Sequence, residues 1–167
     1  SIRGVKVVID HATGLMWCQS GYKGLMTNTI TWEKAKKWVQ KLNKRNYAGH
    51  KGWRLPTLEE ATSLLESSKK NSGTLYIDPV FSNKEWNFWT GDVMGSEKAW
   101  CVSVNTGSVW SNYNTLNRSH VRPVRSMNKE SKPVTDKRFI KETSRYQNVQ
   151  DELRELEVLK GEGLILK

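Results

Sequence analysis

Gly52-Trp53-Arg54-Leu55-Pro56-Thr57-Leu58-Glu59-Glu60-Ala61-Thr62-Ser63-Leu64-Leu65 puts a strand end, a rigid turn and a helix start into one run. Pro56 fixes its own φ and pushes Leu55 into an extended conformation. Thr57, followed three residues later by Glu60, is a capping box ahead of an apolar-periodic segment, so a helix is expected from Leu58. Its inward positions, at spacings of three and four, are Leu58, Ala61, Leu64 and Leu65; Glu59, Glu60 and Thr62 are expected to face water. The helix should fray by Ser67-Ser68, and Trp53, Leu55 and the helix are expected to share one core.

On the N-terminal side, Val5, Val7 and Ile9 alternate with Lys6, Val8 and Asp10. Asp10-His11-Ala12-Thr13-Gly14 supplies turn chemistry, and Leu15-Met16-Trp17-Cys18-Gln19 reads as a second strand, giving a hairpin. After a polar loop, Thr31 caps an expected helix from Trp32 to about Asn43 with apolar positions Trp32, Ala35, Trp38, Val39 and Leu42. Lys34, Lys37, Lys41, Lys44 and Arg45 ride its other side or its exit, the most concentrated positive feature of the chain. The plainest account of that side is a solvated helix face, since Lys and Arg are ordinary there.

On the C-terminal side, Thr74 to Asn87 carries Tyr76, Ile77, Pro79, Val80, Phe81 and Trp86 and reads as an irregular loop packed onto the core. Phe88-Trp89-Thr90-Gly91-Asp92 reads as a strand end. Residues 98–104 and 108–113 read as strands joined by Asn105-Thr106-Gly107, a three-residue hairpin signal with Gly at the left-handed position. Ser119 to Arg125 alternates again and closes the domain, with Pro123 arguing for an edge position or a bulge.

Composition changes near Met127. Residues 1–127 hold 18 Lys and Arg against 9 Asp and Glu and all 8 Trp, whereas residues 128–167 hold 9 against 8. The reading is therefore a domain at 1–127, a charged linker at 128–143, and an amphipathic helix and tail at 144–167. In the last, Tyr146, Val149, Leu153 and Leu156 recur at three and four. A free helix of that length is marginal, so it must pack, either back on its own domain or on another chain, as a homo-oligomer or with another subunit. The net charge of +10 favours anionic partners in general. No run approaches the roughly eighteen apolar residues of a membrane span, and no signal-peptide pattern opens the chain.

The order Asp10-His11-Ala12-Thr13-Gly14-Leu15-Met16-Trp17, Thr31-Trp32-Glu33-Lys34-Ala35, Gly52-Trp53-Arg54-Leu55-Pro56-Thr57, Ile77-Asp78-Pro79-Val80-Phe81, Phe88-Trp89-Thr90, Ala99-Trp100 and Val121-Arg122-Pro123-Val124-Arg125 resembles the Lcl C-terminal domain family. The resemblance spans residues 5–126 and leaves out the tail. It implies an α+β, C-type-lectin-like fold of the variant shared with formylglycine-generating enzymes: two helices on a small twisted antiparallel sheet, with long loops. Many relatives carry one Cys late in the first helix and another in the closing strand, where Val39 and Pro123 stand here. Cys18 and Cys101 occupy other positions, and two fates stay open for them, buried free thiols or one bridge.

Three functions are weighed. The resemblance implies a non-catalytic binding or adhesion module outside the bacterial cytoplasm (secreted, periplasmic or at the cell surface), with acidic polysaccharide or a protein surface as partner. Trp17, Trp32, Trp53 and Trp100 are expected in the core, leaving Trp86, Trp110, Tyr113, Arg118 and His120 as candidate ligand-binding residues; Arg122 and Arg125 are expected to brace the fold. The alternative is a structural or accessory subunit of a surface assembly, docked through Tyr146, Val149, Leu153 and Leu156. An oxidase of the formylglycine-generating type is the weaker alternative, because it needs two converging thiolates and nothing flanking Cys18 or Cys101 shows that. Asp10, Asp78 and Asp92 sit in turn chemistry, and His11, His50 and His120 are scattered, so no catalytic residue, metal site or cofactor is expected. Nucleic-acid binding is a distant fourth reading and is not expected, since the charge is suitable but no matching motif accompanies it.

Overall fold

Turn chemistry and period-two alternation produce two small antiparallel sheets rather than one. The computed structural model describes residues 6–21, 29–72 and 74–127. Strand β1 (Val7–Asp10) pairs with β2 (Leu15–Cys18), and β2 pairs with the closing strand β6 (Val124–Ser126), in the order β1-β2-β6. The second sheet has the order β3-β4-β5, from Asn87–Met94, Lys98–Ser103 and Ser108–Tyr113. Helix α1 is Trp32–Lys44 and α2 is Leu58–Thr62. The mixed α+β class is as expected, with two three-stranded sheets where the resemblance implied a single one. The expected linker and the helix at Tyr146, Val149, Leu153 and Leu156 lie outside the described residues.

Apolar clusters pack on both faces of each sheet, leaving Ile9, Val93, Met94 and Tyr113 exposed toward the strand ends. Successive side chains of a strand point opposite ways, so β4 sends Trp100 and Val102 into one apolar cluster and Ala99 and Cys101 into the other. The first cluster gathers Leu58, Ala61 and Leu65 against Leu15, Trp17 and Phe88. In the second, Trp32, Ala35, Val39 and Leu42 of α1 meet Met16, Cys18, Trp53 and Trp89. Double coverage explains why Leu15-Met16-Trp17-Cys18 is an unbroken buried run with no polar alternation. The expected core Trp residues, 17, 32, 53 and 100, are all buried, as is Trp89.

Three expectations around the Pro56 turn are corrected. Helix α2 stops at Thr62, because Thr62 Oγ1 donates to the carbonyls of Leu58 and Glu59 and Ser63 Oγ donates to that of Glu60. The chain beyond pairs with the loop instead, Leu65 bridging Ile77 and Glu66 N donating to Tyr76 O. Glu60 and Thr62 point inward, with Glu60 satisfied by Arg54 at 2.6 and 2.8 Å and by Thr57 N at 2.9 Å. The capping box itself is present. Trp53 and Leu55 belong to the second cluster while α2 belongs to the first, so the turn carries the chain between two cores.

Residues 74–86 form no helix or named strand and bury Leu75, Ile77 and Phe81, Asn87 already belonging to β3. The closing segment is a strand only at β6; before it, Ser119 bridges Ile30 and His120 bridges Phe88 in parallel. Pro123 sits just ahead of β6, where its carbonyl accepts from Cys18 N at 2.9 Å and its missing N–H costs nothing. Gly107 takes φ +66° at the β4–β5 turn, the left-handed conformation that position requires.

Candidate functional site

Helix α1 buries one side and leaves the other to water. Lys34, Lys37, Lys41, Lys44 and Arg45 are all exposed and recur at spacings of three, four and three, with Arg45 just past the end. From Lys34 to Lys44 the stripe runs about 15 Å along the axis. Among the described residues the ion pairs are Lys36–Glu33, Arg54–Glu60, Lys70–Glu66 and Arg122–Glu85. The stripe therefore has no carboxylate partner there. Lys41 and Lys44 in the last turn also suit the negative end of the helix dipole.

Beside the stripe lies a groove of about 370 Å³ between α1 and the Trp53-Arg54-Leu55 run. Its floor is apolar, from Trp32, Val39, Trp53 and Leu55. Lys36 and Arg54 stand at its edge, but both are already engaged. Lys36 Nζ is 3.0 Å from Glu33 and 3.7 Å from the centre of the Trp32 ring, while Arg54 grips Glu60. Asn43 is spent on the backbone of Trp53, accepting from its N–H and donating to its carbonyl, each at 2.8 Å. The groove's charged groups and Asn43 are thus already partnered, and it suits a flat, largely uncharged unit with an apolar face. Sequence reasoning passed over Lys36 and Gln40 here; the signal was there, since Lys36 stands four residues after Trp32 and Gln40 four further on.

The structure does not gather the candidate ligand-binding residues. Trp86 is 47 % exposed and precedes the end of the second sheet where Asn87 pairs with Ser103. Tyr113 is at the opposite end, paired with Lys98, whose Nζ lies 4.8 Å from the centre of the ring. Trp110 faces the other way from Tyr113, packing against the α1 cluster. Arg118 is exposed in the irregular segment after β5. His120 is buried, with Nδ1 3.0 Å from Asn87 O and 3.1 Å from Asn87 Oδ1, on the edge of β3 away from β5. These residues share no single face, because β5 alternates and β3 and β4 stand between His120 and Tyr113.

Cys18 and Cys101 are free and buried. Burial pushes both thiols up to about 12, countered in part by the Arg122 charge at Cys18 and by the Ser119 hydroxyl, 3.4 Å away, at Cys101. Among the described residues no three His, Cys, Asp or Glu side chains converge in a metal-ligating group.

A family model, the Lcl C-terminal domain, matches residues 6–125. The chain belongs to that family. No curated protein matches it. The Lcl C-terminal domain match takes in both helices, the stripe, the groove and all but the last residue of β6. No helix among the described residues is long and apolar enough to cross a membrane.

Proposed function

We propose that this Lcl C-terminal domain is a non-catalytic, surface-associated binding module outside the bacterial cytoplasm, and that its ligand is an acidic polysaccharide laid along α1. The observation that carries the reading is the exposed row of Lys34, Lys37, Lys41, Lys44 and Arg45 with no carboxylate partner among the described residues. A row of cations about one helical turn apart matches a chain of repeating anionic groups better than a compact anion, which wants converging donors. Four of the five are Lys, compact charges on flexible stems, which favours adaptable, salt-sensitive contact over a bidentate site. The adjacent groove adds an apolar floor, with Lys36 already over the Trp32 ring, against which an apolar edge of a sugar unit of the same polymer rests. A lectin-like relationship of the fold is part of this proposal.

The test is binding of the intact chain to immobilised sulfated and carboxylated polysaccharides beside neutral ones, each titrated with salt. Retention by the acidic polymers alone, declining with salt, supports the reading. Equal retention by neutral polymers, or none by any, overturns it.

A further inference from the structure

Among the described residues strand β5 is the outer strand of its sheet, and the direction of its backbone groups can be assigned residue by residue. Val104 N donates to Trp86 O, so even-numbered residues at the end of β4 point toward β3 and odd-numbered ones toward β5. Gly107 N donating to Ser103 O agrees. With Cys101 opposite Trp110 and Ala99 opposite Asn112, Trp110 and Asn112 spend their backbone groups on β4. Val109, Ser111 and Tyr113 must then direct theirs outward. Tyr113 bears this out: its N–H donates to Asn117 Oδ1 at 3.1 Å and its carbonyl accepts from Asn117 N at 3.1 Å. Among the described residues nothing pairs with the N–H and C=O of Val109 and Ser111.

Edges of this kind are ordinarily protected by Lys, Pro, a bulge or brevity. Ser108-Val109-Trp110-Ser111-Asn112-Tyr113 has no charge and no Pro in a chain of net charge +10, and it pairs with β4 without a register shift. We infer that β5 is a dimerisation edge, and that a second copy of this chain pairs with it antiparallel, Val109 of each copy opposite Ser111 of the other. That register satisfies all the free groups of both residues on both strands, with four hydrogen bonds across the two-fold axis. It sets the two Trp110 rings side by side at a non-hydrogen-bonded pair, where cross-strand aromatics stabilise. It also places Ser108 opposite Asn112, so no charge meets a like charge across the strands. The occupant is a second copy because β5, uncharged in a chain of net charge +10, brings no like charges together along the strand, and pairing about Trp110 satisfies the same free groups on both copies. Trp110 and α1 share one face of the sheet, so the dimer displays both basic stripes on one side.

The inference stands apart from the ligand reading and is tested without any ligand, on the full chain, by light scattering and sedimentation over a concentration series. The wild type is expected to approach twice the mass of one chain with rising concentration. Ser111→Pro removes an N–H that faces away from β4 and leaves the β4 ladder intact. It should retain the circular dichroism of the wild type and weaken association by about tenfold or more, since each copy loses one hydrogen bond. Trp110→Cys should cross-link to itself under oxidation, because Cα atoms at such a pair lie about 4.5 Å apart, within disulfide range. Asn112→Cys, facing Ser108, should not. A wild type that stays monomeric throughout overturns the inference, as does a Ser111→Pro variant that associates unchanged. Cross-linking at Asn112 equal to that at Trp110 overturns the register.

Discussion

Arg122 Nη2 lies 3.0 Å from Glu85 Oε2, with neither side chain open to solvent. The same guanidinium donates to Gln19 O at 2.6 Å and lies 5.0 and 5.8 Å from the ring centres of Phe81 and Phe88. One side chain thus joins the end of β2, the irregular loop and the closing segment. Burial pulls the guanidinium pKa down and Glu85 pushes it back up. Glu85→Ala strands a buried cation and should cost about 3–5 kcal/mol in urea unfolding. A double change to apolar residues of similar volume should cost clearly less, which separates the charge penalty from loss of packing.

Gly21 belongs to the same knot. Its N–H donates to Glu85 Oε1 at 3.0 Å, and a Cβ built on it would collide with the carbonyl oxygen of Val121. The neighbour is backbone and cannot swing aside. Gly21→Ala should therefore lower stability by about 1–3 kcal/mol, whereas Gly14→Ala, with open space but φ +69°, tests strain alone. Thermal unfolding of the two variants side by side checks the distinction.

Glu60 closes the capping box on Thr57 and holds Arg54 in a bidentate pair. Glu60→Ala removes both and should destabilise by about 2 kcal/mol or more. Thr57→Ala loses only its half of the cap and should cost about 1 kcal/mol. Equal losses in denaturant titration would show that the Arg54 pair contributes nothing.

The two thiols provide a pH signature. Their folded pKa values are raised from 9.0 to about 12 by burial, so the unfolded chain releases these protons first. The stability they contribute is full below pH 9.0 and is lost between pH 9.0 and about 12. Tyr47, raised from 10.0 to about 12 by burial and by its contact with Cys18, acts in the same direction. Unfolding midpoints should fall across this window, and less steeply in a Cys18→Ala/Cys101→Ala variant. Iodoacetamide near neutral pH should leave the native chain unmodified and add two groups after denaturation, read by mass.

On α1, single Lys37→Ala or Lys41→Ala changes should weaken acidic-polysaccharide binding about two- to fivefold and make its salt dependence shallower. Lys84→Ala, exposed in the loop, should do neither. Gly91→Leu projects into the groove beside Leu55 and should weaken binding with the salt dependence unchanged. Affinity chromatography across a salt series reads both effects.

Much of the architecture was legible along the chain, because caps, turns and periodicity act within a few residues. Thr57 and Glu60 cap α2, Gly107 turns β4 into β5, and the apolar spacing from Trp32 to Leu42 gives α1 together with its basic outer side. Other features are properties of packing. Glu60 and Arg122 look like surface residues to any rule of composition, yet both are buried, because Arg54 and Glu85 reach them only once the chain has folded. Whether a charge lies inside depends on whether a partner can replace its water. The same limit scattered the candidate ligand residues: neighbours in sequence such as Trp110 and Tyr113 fall on opposite faces of β5, and His120 lies across the sheet from them. Residue type and spacing determined which segments became helix and strand; pairing of the strands in space decided which side chains share a surface.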